Sequence, residues 1–105
     1  MAQKRVVVGT SPVLLADYNK YRKSISIIML PTSIETENTG RVHVGKGFPP
    51  SNKLGDPNQG DPLIQGQQIT EQEQFPNDPS VFKGQWWARA SIENQVLIVD
   101  EITEV

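Results

Sequence analysis

The chain has no cysteine among its 105 residues. That excludes disulfides, thiol nucleophiles and cysteine-ligated metals together. Aromatic residues make up only 7%, and His43 is the single histidine. With no cysteine and no serine in a recognisable local motif, it does not complete a hydrolytic triad. Long apolar runs are missing too. The longest, Ile27-Ile28-Met29-Leu30, cannot span a bilayer. Only three valines follow Met1-Ala2-Gln3-Lys4-Arg5, well short of the apolar centre of a secretion signal. The expectation is a chain made in the cytoplasm and not embedded in a membrane. Neither sign of charge dominates, and the net charge is −2. The basic footprint of a nucleic-acid binder is therefore absent.

What is present points to strands and loops. A chain of this length forms one domain, residues 1–105, and buries roughly 60–70% of the surface its unfolded form exposes. Hydrophobic residues make up 36%, with eight glycines and eight prolines, so the core is modest and much of the chain is loop. The apolar segments are short and rich in β-branched residues. Lys4 to Val8 reads as a strand, and Val13 to Ala16 as a second or as its continuation. Arg22 to Leu30 alternates, with Ile25, Ile27 and Met29 on one face, and becomes apolar on both faces at its end. Arg41 to Gly45 alternates as well. Leu63-Ile64 and Gln67 to Ile69 suit a short strand. Phe82 to Ala90 and Gln95 to Ile102, separated by Ser91 to Asn94, read as a β-hairpin. Helix is limited to a single turn, around Asp17-Tyr18-Asn19 or Glu71 to Gln74. The fold class is all-β: a small antiparallel β-sandwich or jelly-roll-like domain of six to eight strands. Three long polar or proline-rich loops, at about 31–40, 47–62 and 70–80, suggest a rigid scaffold that works through its loops.

Few residues form a recognisable chemical motif. The alternation puts His43 on the more exposed face of its strand, as a structural residue. Asp56 to Asp61 superficially matches a calcium loop, but its glycine is displaced and Gln67 stands where a bidentate glutamate belongs. It reads as a turn. Glu71, Glu73 and Asp78 form an acidic patch in a polar, solvated segment, with no cause for a raised pKa. Gly45-Lys46-Gly47 lacks the spacing of a phosphate-binding loop. No catalytic, cofactor or metal residues are expected, and the chain reads as a non-enzyme. The tryptophans are more informative. Trp86, Ala88 and Ala90 share a face suited to a core, whereas Trp87 shares the other with Gln85 and Arg89. An outward tryptophan needs a cover from a loop, a subunit or a sugar. Trp87 and Arg89 are the leading interface candidates, joined by Phe48 and Phe75 from the long loops.

Several residues fall in a familiar order. Asn19 precedes Arg22-Lys23-Ser24-Ile25-Ser26-Ile27. Arg41-Val42-His43-Val44-Gly45 follows, then Gly60 to Gly66 around Leu63-Ile64. Phe82-Lys83-Gly84-Gln85-Trp86-Trp87-Ala88 comes next, and a valine-rich strand ends in Asp100-Glu101. From Asn19 on, the chain resembles the small β-sandwich virion proteins of tailed bacteriophages, of the capsid-decoration and head-fibre-base type. In that scheme the segment before Lys-Gly is compact, whereas here Gly47 to Ser80 is enlarged and proline-rich. The resemblance implies a structural virion protein without cofactors. It would bind the major capsid protein or another virion protein through loops and a strand edge, and form a homo-oligomer, with a trimer favoured. Nucleic acid and membrane are not expected partners. The alternative is a carbohydrate-binding or tail-fibre host-recognition module that uses Trp87, Tyr18 or Tyr21 as stacking surfaces.

Overall fold

A computed structural model describes residues 2–32, 38–51, 56–76 and 78–103. Parts of the three expected loops, at 33–37, 52–55 and 77, lie outside the described residues. Eight strands are present among those described: β1 (Ala2–Val8), β2 (Val13–Ala16), β3 (Arg22–Met29), β4 (Val42–Lys46), β5 (Asp61–Leu63), β6 (Gln68–Gln72), β7 (Trp86–Ala90) and β8 (Gln95–Thr103). They form two four-stranded sheets, ordered β1-β8-β3-β6 and β2-β7-β4-β5. Every pairing is antiparallel. The pairings nest: β1 with β8, β2 with β7, β3 with β6 and β4 with β5.

The two sheets pack together in a sandwich-like arrangement because each turns one apolar face inward. From the first sheet come Val8, Ile25, Ile27, Met29, Leu97 and Val99. From the second come Leu15, Val42, Val44, Leu63, Trp86, Ala88 and Ala90. Period-two alternation in β7 puts Trp86, Ala88 and Ala90 inside and leaves Trp87 and Arg89 half-buried on the other face. Burial of each large apolar side chain contributes about 1.5–3 kcal/mol. Phe82 closes one end of this core edge-on against Trp86, with ring centroids 6.0 Å apart.

The expected hairpin is not one. β7 and β8 belong to different sheets, and Ser91 to Asn94 carries the chain across the sandwich. Each strand takes two other partners: β7 lies between β2 and β4, and β8 between β1 and β3. Val96 to Val99 is apolar on both faces and suits that central position. The corner is held from both sides. Glu93 accepts hydrogen bonds from Thr10 N and Oγ1, on the matching crossover between β1 and β2. Ser91 N donates to the Arg41 carbonyl, and Ser91 Oγ accepts from Arg41 N. Asn94 adopts φ 61°, a left-handed conformation that asparagine tolerates well.

His43 is not on an exposed face. All four residues from Val42 to Gly45 are buried, His43 at 7% exposure. Its register partners are Pro62 in β5 and Arg89 in β7. Beyond β4 the chain doubles back over the same face. A Cβ on Gly45 would lie 2.2 Å from the Phe48 carbonyl oxygen, and Pro50 is buried beside it. At the far end of this loop a Cβ on Gly60, at φ 82°, would lie 2.4 Å from the Val44 carbonyl oxygen. Phe48 and Pro50 thus roof β4, Gly60 meets its edge beside the Val44–Asp61 pair, and glycine permits both close approaches. The expected helical turns are also absent among the described residues. Glu71 and Gln72 lie in β6, paired with Ile25 and Ser24.

Candidate interaction site

The connection from β2 to β3 is heavily braced. Arg22 is fully buried. A register shift between Arg22 and Ser24 turns its side chain inward, out of phase with Ile25, Ile27 and Met29. Its guanidinium makes four hydrogen bonds: Nε to Glu101 Oε2 (2.5 Å), Nη1 to the carbonyls of Phe82 (2.8 Å) and Gly84 (3.0 Å), and Nη2 to the Asp17 carbonyl (2.6 Å). Lys83 Nζ donates in turn to the Arg22 carbonyl. A planar fork with several donors can hold three chain segments at once, which an ammonium cannot do with the same geometry.

Asn19 completes the clamp. Its N–H donates to the Lys83 carbonyl, its Nδ2 to Thr103 Oγ1, and its Oδ1 accepts from Tyr21 N. Asp17 Oδ1 accepts from Tyr18 N and from Gln85 Nε2. The Gln85 and Tyr18 bonds hold the Asp17 carboxyl below its ordinary pKa. What this bracing presents to solvent is a pair of tyrosines, Tyr18 at 65% and Tyr21 at 54% exposure. Lys20 Nζ sits 5.0 Å from the centroid of the Tyr21 ring.

The interface candidates do not converge on one spot. Trp87 and Arg89 share the outer face of the second sheet, where Trp87 pairs with Leu14 and with Gly45. Phe48, half-buried, folds against Gly45 and so lies on the same face. The chain's own loop thus lies over Gly45, the register partner of the half-buried Trp87. Arg89 Nε is buried there and makes no hydrogen bond. Burial, with the nearby positive charge of Arg41, lowers the pKa of His43 on this face. Phe75 lies elsewhere and is 57% exposed. With Ile102, Pro76 and Lys23 it borders a shallow groove of about 340 Å3 beside β6.

The acidic residues have structural duties. Glu71 is half-buried rather than solvated: Oε1 accepts from Phe82 N, and Oε2 pairs with Lys46 Nζ at 2.8 Å. Glu73 is 3.7 Å from Lys83 Nζ. Asp78, 4% exposed, accepts from Gln74 N and Ser80 N, which together hold its pKa low. In the calcium-like stretch, Asp56 Oδ1 accepts from Asn58 N, an ordinary turn bond. No cluster of three metal-ligating side chains occurs among the described residues. Two further buried side chains were not apparent from the sequence. Asn38 bonds the Leu30 and Val96 carbonyls and Val96 N, and Gln95 accepts from Gly40 N. Neither breaks an apolar pattern, so periodicity gives no signal for them.

Compared with protein-family models, with curated proteins and with solved structures, the chain finds no match.

Proposed function

We propose that this chain is a non-enzymatic structural protein of a tailed-phage virion, a capsid-decoration or head-associated protein. The observation that carries the reading is the Arg22 clamp. Asn19, Arg22, Lys83-Gly84 and Glu101 are scattered along the sequence pattern that resembles phage virion β-sandwiches. In the fold they meet in one hydrogen-bonded cluster. Those pattern residues thus share one structural duty, and this is what supports the reading. The nested strand order adds support. Pairing β1 with β8, β2 with β7, β3 with β6 and β4 with β5 is what results when one long antiparallel hairpin rolls up into two sheets. We read it as a jelly roll, an architecture found among viral capsid proteins and lectins. Fold alone does not assign function, so the clamp carries more weight.

In this reading Trp87, with Arg89 and Phe48 on the same face, anchors contact with the major capsid protein or another virion protein. Phe75 serves a separate contact, and the repeated copies on the particle form a homo-oligomer, a trimer by preference. The test is binding to purified particles of the encoding phage. The wild-type chain should co-sediment with them and saturate at a fixed ratio to the capsid subunit. Trp87→Ser should lower occupancy at least about tenfold, the size expected for loss of a central aromatic anchor. Absence of the protein from purified particles would sink the reading.

One observation favours a second reading, a host-glycan module. Tyr18 and Tyr21 are exposed on a braced turn, as a stacking platform requires. A glycan array, followed by titration of a Tyr18→Ala variant, separates the two.

A further inference from the structure

The four edge strands are not equivalent. β5 has three residues with Pro62 at its centre, which removes a donor and blunts that edge. β2 has four residues and an irregular register. β6 has five, and its exposed positions are Gln68, Thr70 and Gln72. β1 is longest, with seven residues paired only to β8. It ends in three valines, of which Val7 is 57% exposed on the outer face. Among the described residues no strand pairs its other edge, which leaves that edge open for another strand.

Two further features lie beside that edge. Exposed Lys4 has no ion-pair partner among the described residues. A cavity of about 190 Å3, the second feature, is lined by Gln3 and Lys4 of β1, Val99 and Glu101 of β8, and Ala16 and Asp17 at the end of β2. Its two carboxylates are already engaged. Glu101 holds Arg22, and Asp17 accepts from Tyr18 and Gln85. The cation at its rim is left for an incoming group.

The geometry points to β1 as a strand-addition site for an extended segment of a different chain, one that carries an acidic residue opposite Lys4 and an apolar residue at the cavity. Main-chain hydrogen bonds to the open edge supply affinity in such complexes, and pockets for alternate side chains supply selectivity. Charge decides the occupant. A symmetric antiparallel pairing of two β1 strands along their full length sets Lys4 opposite Val6 and leaves the cation unanswered, whereas an acidic strand answers it. Lys4 thus selects an acidic strand over a second copy. The inference rests on the reading of the chain as an assembly protein, to which it adds the edge and the partner chemistry.

The probe is a blocked valine-rich peptide with a single central glutamate, titrated into the 15N-labelled chain beside its counterpart with lysine in that place. The glutamate peptide should shift the β1 amides from Gln3 to Val8 and slow their exchange. It should bind at least about threefold tighter than the lysine peptide, the size of an exposed charge pair. Lys4→Glu should reverse that preference. Shifts confined to other strands, no shifts at all, or equal response to both peptides would overturn the site. Dimerisation of the free chain through β1, read by sedimentation equilibrium, would overturn the choice of occupant in favour of a second copy. Particle binding separates this inference from the reading beneath it. Unchanged occupancy by Lys4→Glu would remove the edge as the contact and leave the virion assignment standing. A chain that takes the glutamate peptide on β1 yet ignores particles would support the edge and reject the virion assignment.

Discussion

Arg22 is the residue on which the loop end of the molecule depends. A buried guanidinium costs several kcal/mol in desolvation and persists only with its partners in place. Here the partners are one carboxylate and three carbonyls, drawn from the β2–β3 turn, the segment before β7, and β8. Arg22→Ala strands those acceptors and should lower unfolding free energy by about 3–5 kcal/mol in urea titration. Arg22→Lys keeps the charge but not the fork, and should still cost about 2 kcal/mol. Equal stability of the lysine variant and wild type would show that charge, not geometry, is what the site needs. His43 makes a second prediction at this scale. Burial and Arg41 depress its pKa in the folded state, whereas the unfolded chain titrates near the ordinary 6.5. Below pH 6.5 the unfolded state binds the extra proton first, so stability falls as pH drops from there through the folded-state value. Thermal unfolding between pH 7.5 and 5 should show this loss, and His43→Phe should flatten it. An unchanged slope in the variant would locate the titrating group elsewhere.

At the scale of elements, the sequence spoke clearly where a strand has one wet face. β3 and β7 were legible because Ile25, Ile27 and Met29, and Trp86, Ala88 and Ala90, recur with period two. Partner choice was not legible. The segments on either side of Ser91 to Asn94 look like a hairpin locally, yet both are central strands of different sheets. Which strands flank β8 depends on β1, nearly the whole chain away, and no local pattern encodes that. The burial of Arg22 is hidden in the sequence because a register shift inverts its phase, and that of His43 because the cover on its face comes from residues beyond β4. That cover is testable. Gly45→Ala would place a methyl group against the Phe48 carbonyl, at the 2.2 Å approach that only a hydrogen now permits. The backbone of the Gly47–Pro50 segment must then lift off β4. A loss of about 1–3 kcal/mol is expected, as for other overpacked sites. Trp87, paired with Gly45, should become wetter, and its fluorescence in a Trp86→Phe background should move to longer wavelength. A blue or unmoved spectrum would mean that the loop does not cover this tryptophan.

For the whole molecule, the nested pairing sets an order of assembly. β4 and β5 are joined by the shortest chain among the four nested pairs, from Lys46 to Asp61, while Val8 of β1 meets Gln95 of β8. Closing a long loop in one step costs more entropy than closing it after inner pairs have brought its ends together. The economical route therefore zips from β4–β5 outward through β3–β6 and β2–β7, and sets β1 against β8 last. With so much pairing between distant segments, folding belongs in the millisecond-to-second range typical of all-β domains. Two buried valines at opposite ends of this order provide the test. Val44 lies on β4 and Val8 on β1, and both are core residues, at 1% and 0% exposure. Truncating either to alanine should remove about 1–3 kcal/mol of stability. In stopped-flow chevrons Val44→Ala should act mainly by slowing folding. Val8→Ala should leave the folding rate nearly unchanged and speed unfolding instead, because its contacts form after the transition state. The opposite assignment, with Val8→Ala slowing folding, would mean that the β1–β8 pair nucleates the sandwich. It would also mean that the open edge of β1 is present from the start of folding rather than completed at its end.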